Sequence, residues 1–447
     1  MKYPRYPVYR ESGAPWLGEI PAHWEVKRLK FLLTQKLEYG ANEVANDDDP
    51  DMPRYIRITD IDEAGNLRDD TFKSLPIEIA RPYLLKDKDI LLARSGATVG
   101  KTFIYRGEWG DAAYAGYMIR ARCKATKLLP DFLAYFTQSP GYWQWIASNQ
   151  IQATIQNVSA EKYAGLSLSL PAPHEQRAIA DFLDRETAKI DALVAKKREL
   201  IERLKEKRAA LITHAVTKGL NTKAPMKDSG VPWLGKIPAH WRQTKLRYVA
   251  TMRGGLTPST SNGEYWGGVM PWVTPKDMKV PLIADAEDHI TEIALAETRL
   301  EVFEPGKVLI VVRGMILAHT FPVAMNTVAI TVNQDMKALD CGSGIIPAFL
   351  YWLLRGLDTL ILNLVEDSAH GTKVLRTDQL QGMTLYLPPR KEQEKIVSVL
   401  KASVEKYKFL IHVVEIAIAT LNEHRAALIS AAVTGKIDVR EAMRKAA

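Results

Sequence analysis

Cysteine is nearly missing from this chain: Cys123 and Cys341 are the only two in 447 residues, one in each half. No disulfide framework is expected, no CxxC pair argues for structural zinc, and a reducing cytoplasm fits. Long apolar runs are missing as well. Nothing approaches the ~20 residues of a membrane-spanning helix, and the opening MKYPRYPVYR has no apolar core of a secretory signal. Also absent are G-x-S-x-G, a Rossmann glycine fingerprint in a βαβ unit, and the N/D-P-P-aromatic motif of adenine methyltransferases. HEQRA at 174–178 begins like a zinc-protease helix, but Ala178 stands where HExxH needs histidine. DDDPD at 47–51 lacks the spaced ligands and central glycine of a calcium loop and reads as a solvated acidic turn. No catalysis and no metal are expected in this chain.

One stretch imitates chemistry. RSGATVGKT at 94–102 ends as a phosphate-cradling G-x-x-x-x-G-K-[ST] loop ends, yet Ser95 replaces its first glycine. Such a loop works because a helix follows, whose free N–H groups hold the phosphates. Here TFIYRGEW follows, an alternating β-branched and aromatic run that reads as a strand. A P-loop nucleotide-binding enzyme is therefore the weaker alternative, and the stretch reads as a Gly-flexed polar loop.

What is present is written twice. SGAPWLGEIPAHW (12–24) returns as SGVPWLGKIPAHW (229–241), LSLPAPHEQRAIADFL (168–183) as LYLPPRKEQEKIVSVL (385–400), and KRAALITHAVT (207–217) as HRAALISAAVT (424–434), each displaced by 217 residues. Between these blocks, 40–165 and 257–382 share only scraps: RITDI (57–61) beside VTPKDM (273–278), and LLARSG (91–96) beside IVVRGM (310–315). The chain is two variable modules in a repeated frame. Runs such as YIRI (55–58), DILLA (89–93), TFIYR (102–106) and KVLIVV (307–312) read as strands, DFLAYFTQ (131–138) and AFLYWLLR (348–355) as short helices.

The frame reads as long helix. After Pro171 and Pro173 no proline or glycine occurs until Gly219. Ile179, Leu183, Ile190, Leu193, Leu200, Leu204 and Leu211 fall on heptad spacing, interrupted by Glu186, Lys197 and Lys207. The second copy offers Ile396, Leu400, Tyr407, Leu410, Val414, Ala417, Leu421 and Leu428. Each helix of about 40 residues would be about 60 Å long. The expected fold is α+β: two mixed α/β domains joined by two long helices packed as an antiparallel coiled coil with a pseudo-twofold. Expected boundaries are 1–172 for the first domain, 173–215 for the first helix and 216–228 for a linker. The second domain then covers 229–389, its helix 390–432, and a tail 433–447.

Together the duplicated W-L-G-x-I-P-x-H-W, P-x-x-x-E-Q-x-x-I and A-L-I-x-x-A-V-T blocks resemble the DNA-specificity subunit of type I restriction–modification systems, over essentially the whole chain. One departure is that Arg390-Lys391 replaces Pro173-His174 before the paired Gln393 and Gln176, which reads as tolerated variation at a helix N-terminus. The resemblance implies a non-catalytic, cytoplasmic subunit whose two domains each read half of a bipartite site in double-stranded DNA. It implies two modification (methyltransferase) subunits and restriction (endonuclease/translocase) subunits as partners. S-adenosylmethionine, ATP and Mg would lie on those partners, with no cofactor in this chain. The formal charge of +8 suits a polyanion. A coiled-coil scaffold that binds no DNA is the remaining alternative.

Base edges are read by Arg, Lys, Asn, Gln, Ser and Thr, and phosphates by any donor or cation. In the first module the candidates are Arg57, Thr59, Arg94, Ser95, Thr98, Lys101, Gln152, Thr154, Gln156 and Asn157. In the second they are Thr257, Ser259, Asn262, Thr274, Lys276, Arg313, His370, Thr372, Lys373 and Arg376. His23-Trp24 and His240-Trp241 are expected to pack rather than react.

Overall fold

The computed structural model describes residues 3–62, 65–149, 156–368 and 371–440. The chain forms two compact units of mixed helix and sheet: Met1–Lys197 with Ile416–Ala447, and Arg198–Glu415. No helix among the described residues is long and apolar enough to cross a membrane.

The first unit is built around an antiparallel sheet in the order Glu38–Tyr39, Met118–Ala121, Ile90–Ala93, Thr102–Ile104. A parallel pair, Arg54–Ile56 with Ala112–Tyr114, lies in a separate small sheet. In the second unit the sheet grows to five strands: Ala250–Gly254, Met336–Cys341, Val308–Val311, Val323–Asn326 and Leu282–Ile283. Its parallel pair, Trp266–Val273 with Thr331–Val332, gains the antiparallel strand Asp288–Ile290. The strands Ile90–Ala93 and Val308–Val311 are buried throughout, as their unbroken apolar runs require of a strand covered on both faces. Thr102–Ile104, directly after Lys101, is a strand paired with Ile90–Ala93. The helix that a phosphate loop needs is not there.

The frame repeats in structure as it does in sequence. A hairpin, Tyr9–Glu11 with Glu19–Pro21, recurs as Met226–Asp228 with Lys236–Pro238. The pair Glu25–Arg28 with Ser167–Leu170 recurs as Arg242–Lys245 with Thr384–Leu387. Trp24 and Trp241 are each 1% exposed, the packing role expected of them. The Glu-Gln pair now has a reason. Buried Gln176 accepts from the Leu129 N–H at 2.8 Å and donates to the Lys127 and Pro171 carbonyls at 2.8 and 2.9 Å. Buried Gln393 does the same with Ile346, Gly344 and Pro388 at 3.0, 3.1 and 3.0 Å. Every partner is displaced by 217 residues. The neighbouring carboxylates hold the histidines: Glu175 Oε2 lies 3.1 Å from His23 Nε2, and Glu392 Oε2 2.7 Å from His240 Nε2. Each long helix is thus pinned at its start to the strand and loop that precede it.

Those helices run Pro173–Lys218 and Arg390–Val433. At ~1.5 Å per residue they are roughly 65–70 Å long. Gly219 (φ 75°) and Gly435 (φ 72°) follow them in the left-handed conformation that closes a helix C-terminus. Ile179, Leu183, Ile190 and Val194 from the first helix share the first unit's core with Leu428, Ile429, Ala432 and Val433 from the second. Ile212, Ala215 and Val216 share the second unit's core with Ile396, Leu400 and Val404.

The seam itself needs correction at three positions. Leu193 is 49% exposed and Leu200 43%, whereas the adjacent Val194 and Ile201 are 6% and 8% exposed. Leu410 is exposed and Ile411 half-buried. Ile190, Lys197, Leu204 and Leu211 belong to one heptad column, and the companion column lies four residues on rather than three, buried at Val194, Ile201 and Ala215 and half-buried at Arg208. Because both neighbours are apolar at each of these places (Leu-Val, Leu-Ile, Leu-Ile), residue type alone could not choose between them.

Burial pushes the Cys123 thiol up to about 12 and the Cys341 thiol up to about 11. The reactive thiolate is scarce near neutral pH, so alkylation of the native chain is expected to be slow and to become stoichiometric in guanidinium. Fast native labelling of Cys123 would contradict its place in the first unit's core.

Candidate nucleic-acid interface

In the first unit the loop 94–101 and the polar segment at 156–157 meet. Gly96 N–H donates to the Gln156 carbonyl at 3.1 Å, Val158 N–H donates to the Arg94 carbonyl at 2.9 Å, and Ser95 pairs with Asn157 as an antiparallel bridge. Gly96 sits at φ 79°, which a side chain would strain. The Arg94 guanidinium lies 4.6 Å above the Tyr39 ring, a cation–π contact. It has no hydrogen-bond or ion-pair partner among the described residues, and its buried Nε is unsatisfied. The buried Asn157 Oδ1 also lacks a donor among them. Unpaired groups of this kind are costly unless water or another polar group reaches them. Thr98 is half-buried, Lys101 and Gln156 exposed. Gln152 and Thr154 lie outside the described residues.

Arg57 and Thr59 stand at the end of the parallel strand pair, and Arg57 is spoken for. Its guanidinium grips Asp60 at 2.7 and 3.0 Å while its backbone N–H donates to the same carboxylate, which caps the turn Ile58–Asp60. Thr274 and Asp277 repeat that capping box 217 residues on, with Thr274 Oγ1 donating to Asp277 Oδ2 at 2.9 Å. The scrap shared by RITDI and TPKDM is a turn that both modules need for folding. Arg57 and Thr274 are structural groups.

The second unit builds its loop the same way. Gly314 N–H donates to the Lys373 carbonyl at 3.0 Å, Leu375 N–H to the Val312 carbonyl at 2.8 Å, and Arg313 pairs with Val374. Arg313 is exposed, with no side-chain partner among the described residues. The other cations are engaged. Lys373 meets Asp367 at 2.7 Å, Arg376 meets Glu366 and Asp378 at 2.9 and 3.2 Å, and Lys276 meets Asp288 at 2.8 Å. The hydrogen bond from Lys276 to Asp288 holds the lysine's ammonium above the ordinary lysine range. Exposed pairs of this sort are weak enough to exchange for phosphate oxygens. Thr257 donates to Gln334, Ser259 meets Ser261 at 2.9 Å, and Asn262 caps Gly263–Tyr265. Thr372 is half-buried, and His370 lies outside the described residues.

The strand registers correct one equivalence. Ala93 pairs with Met118 and Val311 with Met336, a displacement of 218 rather than 217. Arg94 therefore matches Val312, and Arg313 matches Ser95. The shared letters of LLARSG and IVVRGM align the two arginines, whereas the register sets them one residue apart, and a one-residue slip in a strand turns a side chain to the opposite face. That accounts for Arg94 lying half-buried on Tyr39 while Arg313 is exposed. The same register brings in residues that sequence reasoning passed over. Arg94 N–H donates at 2.9 Å to the carbonyl of Tyr117, which is 67% exposed, and its equivalent Val312 N–H donates at 2.8 Å to the carbonyl of Asp335, which also takes a longer 3.3 Å bond from Arg313 N–H. Tyr117 and Asp335 are equivalent turn residues before Met118 and Met336. The repeated methionine was their one sequence signal.

The family model for the type I restriction modification DNA specificity domain matches residues 21–203 and 238–410. A stretch of 172 residues is 33% identical to the type I restriction enzyme MjaIX specificity subunit of Methanocaldococcus jannaschii, covering 37% of this chain and 38% of that protein. This match thus spans about two fifths of that relative's length. The putative MjaX specificity subunit of the same organism is 24% identical over 402 residues, covering 86% of this chain and 88% of its own. Among solved structures, a chain from work described as the structural basis underlying complex assembly and conformational transition of the type I R-M system superposes with a TM-score of 0.68. It is 18% identical, covering 93% of this chain and 98% of the other, and so speaks for the fold.

Proposed function

We propose that this chain, which belongs to the type I restriction–modification DNA specificity family, reads double-stranded DNA through its two units, each taking one half of an asymmetric bipartite site. The observation that carries this reading is a repeated frame holding two polar loops of unlike chemistry. Equivalent positions bear Ser95 and Tyr117 in one unit, Arg313 and Asp335 in the other. A scaffold that binds no DNA has no need of two unpaired arginines at matched loops.

The long helices act as the spacer, paired antiparallel about a pseudo-twofold. In support, each unit's core draws on the start of one helix and the end of the other, and Arg425 meets Asp191 at 3.0 Å within the first unit. Half-sites one duplex turn apart, ~34 Å, would face one side of the DNA, and helices of this length are ample to span that gap. Phe409, Val413 and Ile416 are exposed at helical spacing on the second helix. Such an apolar stripe suits a protein partner, in this reading the two methyltransferase subunits, with restriction subunits joining them. This chain contributes no catalytic step. S-adenosylmethionine, ATP and Mg belong to those partners.

A mobility-shift titration of the chain with its methyltransferase subunits tests the reading. Cognate duplex is expected to bind far more tightly than random duplex, and affinity is expected to fall steeply with salt as counterions are released. Equal affinity for every duplex, or none, contradicts it.

A further inference from the structure

The corrected register isolates one pair of residues that the second unit has and the first lacks. Arg313 is exposed, carries no carboxylate partner among the described residues, and lies on a loop turned by Gly314 at φ 139°. Its own N–H donates to the carbonyl of Asp335 at 3.3 Å, which fixes the two residues side by side. Asp335 is half-buried. Its Oδ1 is buried and has no donor among the described residues, and its Oδ2 takes only a long 3.4 Å bond from Asn333 Nδ2, which leaves Oδ2 as the oxygen with a lone pair to spare. The guanidinium is thus a fork of donors in search of acceptors, and the carboxylate an acceptor in search of a donor.

Phosphate could satisfy only the first of these, since it accepts hydrogen bonds and donates none. A base pair can satisfy both. In the major groove guanine presents two acceptors, O6 and N7, and its partner cytosine presents the N4 donor. An A·T pair offers two acceptors as well, adenine N7 and thymine O4, but the N6 donor stands between them, so neither base presents the two adjacent acceptors that a guanidinium fork takes. Resting on the DNA-reading function above, we propose that Arg313 and Asp335 together read a G·C pair in the half-site of the second unit, Arg313 on guanine and Asp335 on cytosine. Ser95 and Tyr117, at the equivalent positions, carry single hydroxyls and cannot make the bidentate contact to guanine. The first unit's half-site carries no matching demand at the equivalent place.

The test uses the chain assembled with its methyltransferase subunits and a panel of duplexes varied one base pair at a time. The wild-type complex is expected to discriminate against replacement of one G·C pair in one half-site. Arg313→Ala is expected to abolish that discrimination and to weaken cognate binding roughly 5- to 150-fold, the span of one bidentate base contact. Arg313→Lys keeps the charge and is expected to behave nearly as badly, because an ammonium cannot fork. Asp335→Asn is expected to admit other pairs at the same position and leave the rest of the site unchanged. A uniform loss across all duplexes, with a shallower salt dependence and full rescue by Arg313→Lys, makes Arg313 a phosphate contact and overturns the proposal. So does relaxation at an A·T pair. A wild-type complex with no sequence preference at all overturns the parent reading instead.

Discussion

Aspartate at Val194 and Ile201 together is expected to destabilise the chain by at least about 3–5 kcal/mol, the cost of leaving charge buried without a partner. Both side chains are under a tenth exposed, and Val194 packs in the first unit's core with Leu428 and Ile429. Since ordinary domains have only about 5–15 kcal/mol in hand, the double variant should melt far below the wild type and lose site-specific methylation in its complex. The informative control is one residue away. Leu193→Asp with Leu200→Asp lies on the exposed flank, and such surface changes usually stay within about 0.5 kcal/mol per site. If the Leu pair proved the damaging one, the first helix would have to be turned by about 100° around its own axis to bury it.

Gln393→Leu is the second large effect. The substitution keeps the volume but strips one acceptor and two donors from a side chain that is 1% exposed. The Ile346 N–H and the carbonyls of Gly344 and Pro388 lose their bonds. Orphaned buried polar groups cost about 1–3 kcal/mol each, less where water reaches them. A total of about 2–4 kcal/mol is reasonable, and it corresponds to roughly 4–16 °C in the melting of a unit this size. Gln176→Leu should match it in the first unit, because the two glutamines hold equivalent partners. A change of under a degree in both variants would show that the Glu-Gln pair serves something other than anchoring the helix.

The frame was legible because it is written twice. Three blocks at one displacement located both long helices and the Trp-bearing segments before them, and proline and glycine punctuation marked where the first helix begins and ends, whereas the paired hairpins were not read from the sequence. Strand character at 90–93 and 308–311 was plain from unbroken apolar runs. Legibility failed where two neighbours were chemically alike. Leu193-Val194 and Leu200-Ile201 each offer the seam two apolar choices, and only packing selects one. It failed again at Arg94 and Arg313, where matching letters implied an equivalence that strand pairing contradicts by one residue. Arg57 and Thr274 looked like reading groups because they are polar and follow a strand. Their capping of Asp60 and Asp277 shows in the sequence only as an acid three residues on. Tyr117 and Asp335 were missed because nothing about a tyrosine or an aspartate in a turn announces which loop its carbonyl will hold.

Everything functional depends on two unlike reading heads held at a set distance, and mapping every methylated adenine in a cell that carries this chain with its methyltransferase partner tests that directly. The expected map is two different short sequences separated by a gap of constant length and free composition, with a G·C pair fixed in one of them. A single uninterrupted site, two identical halves, or a gap that varies from locus to locus would contradict the account.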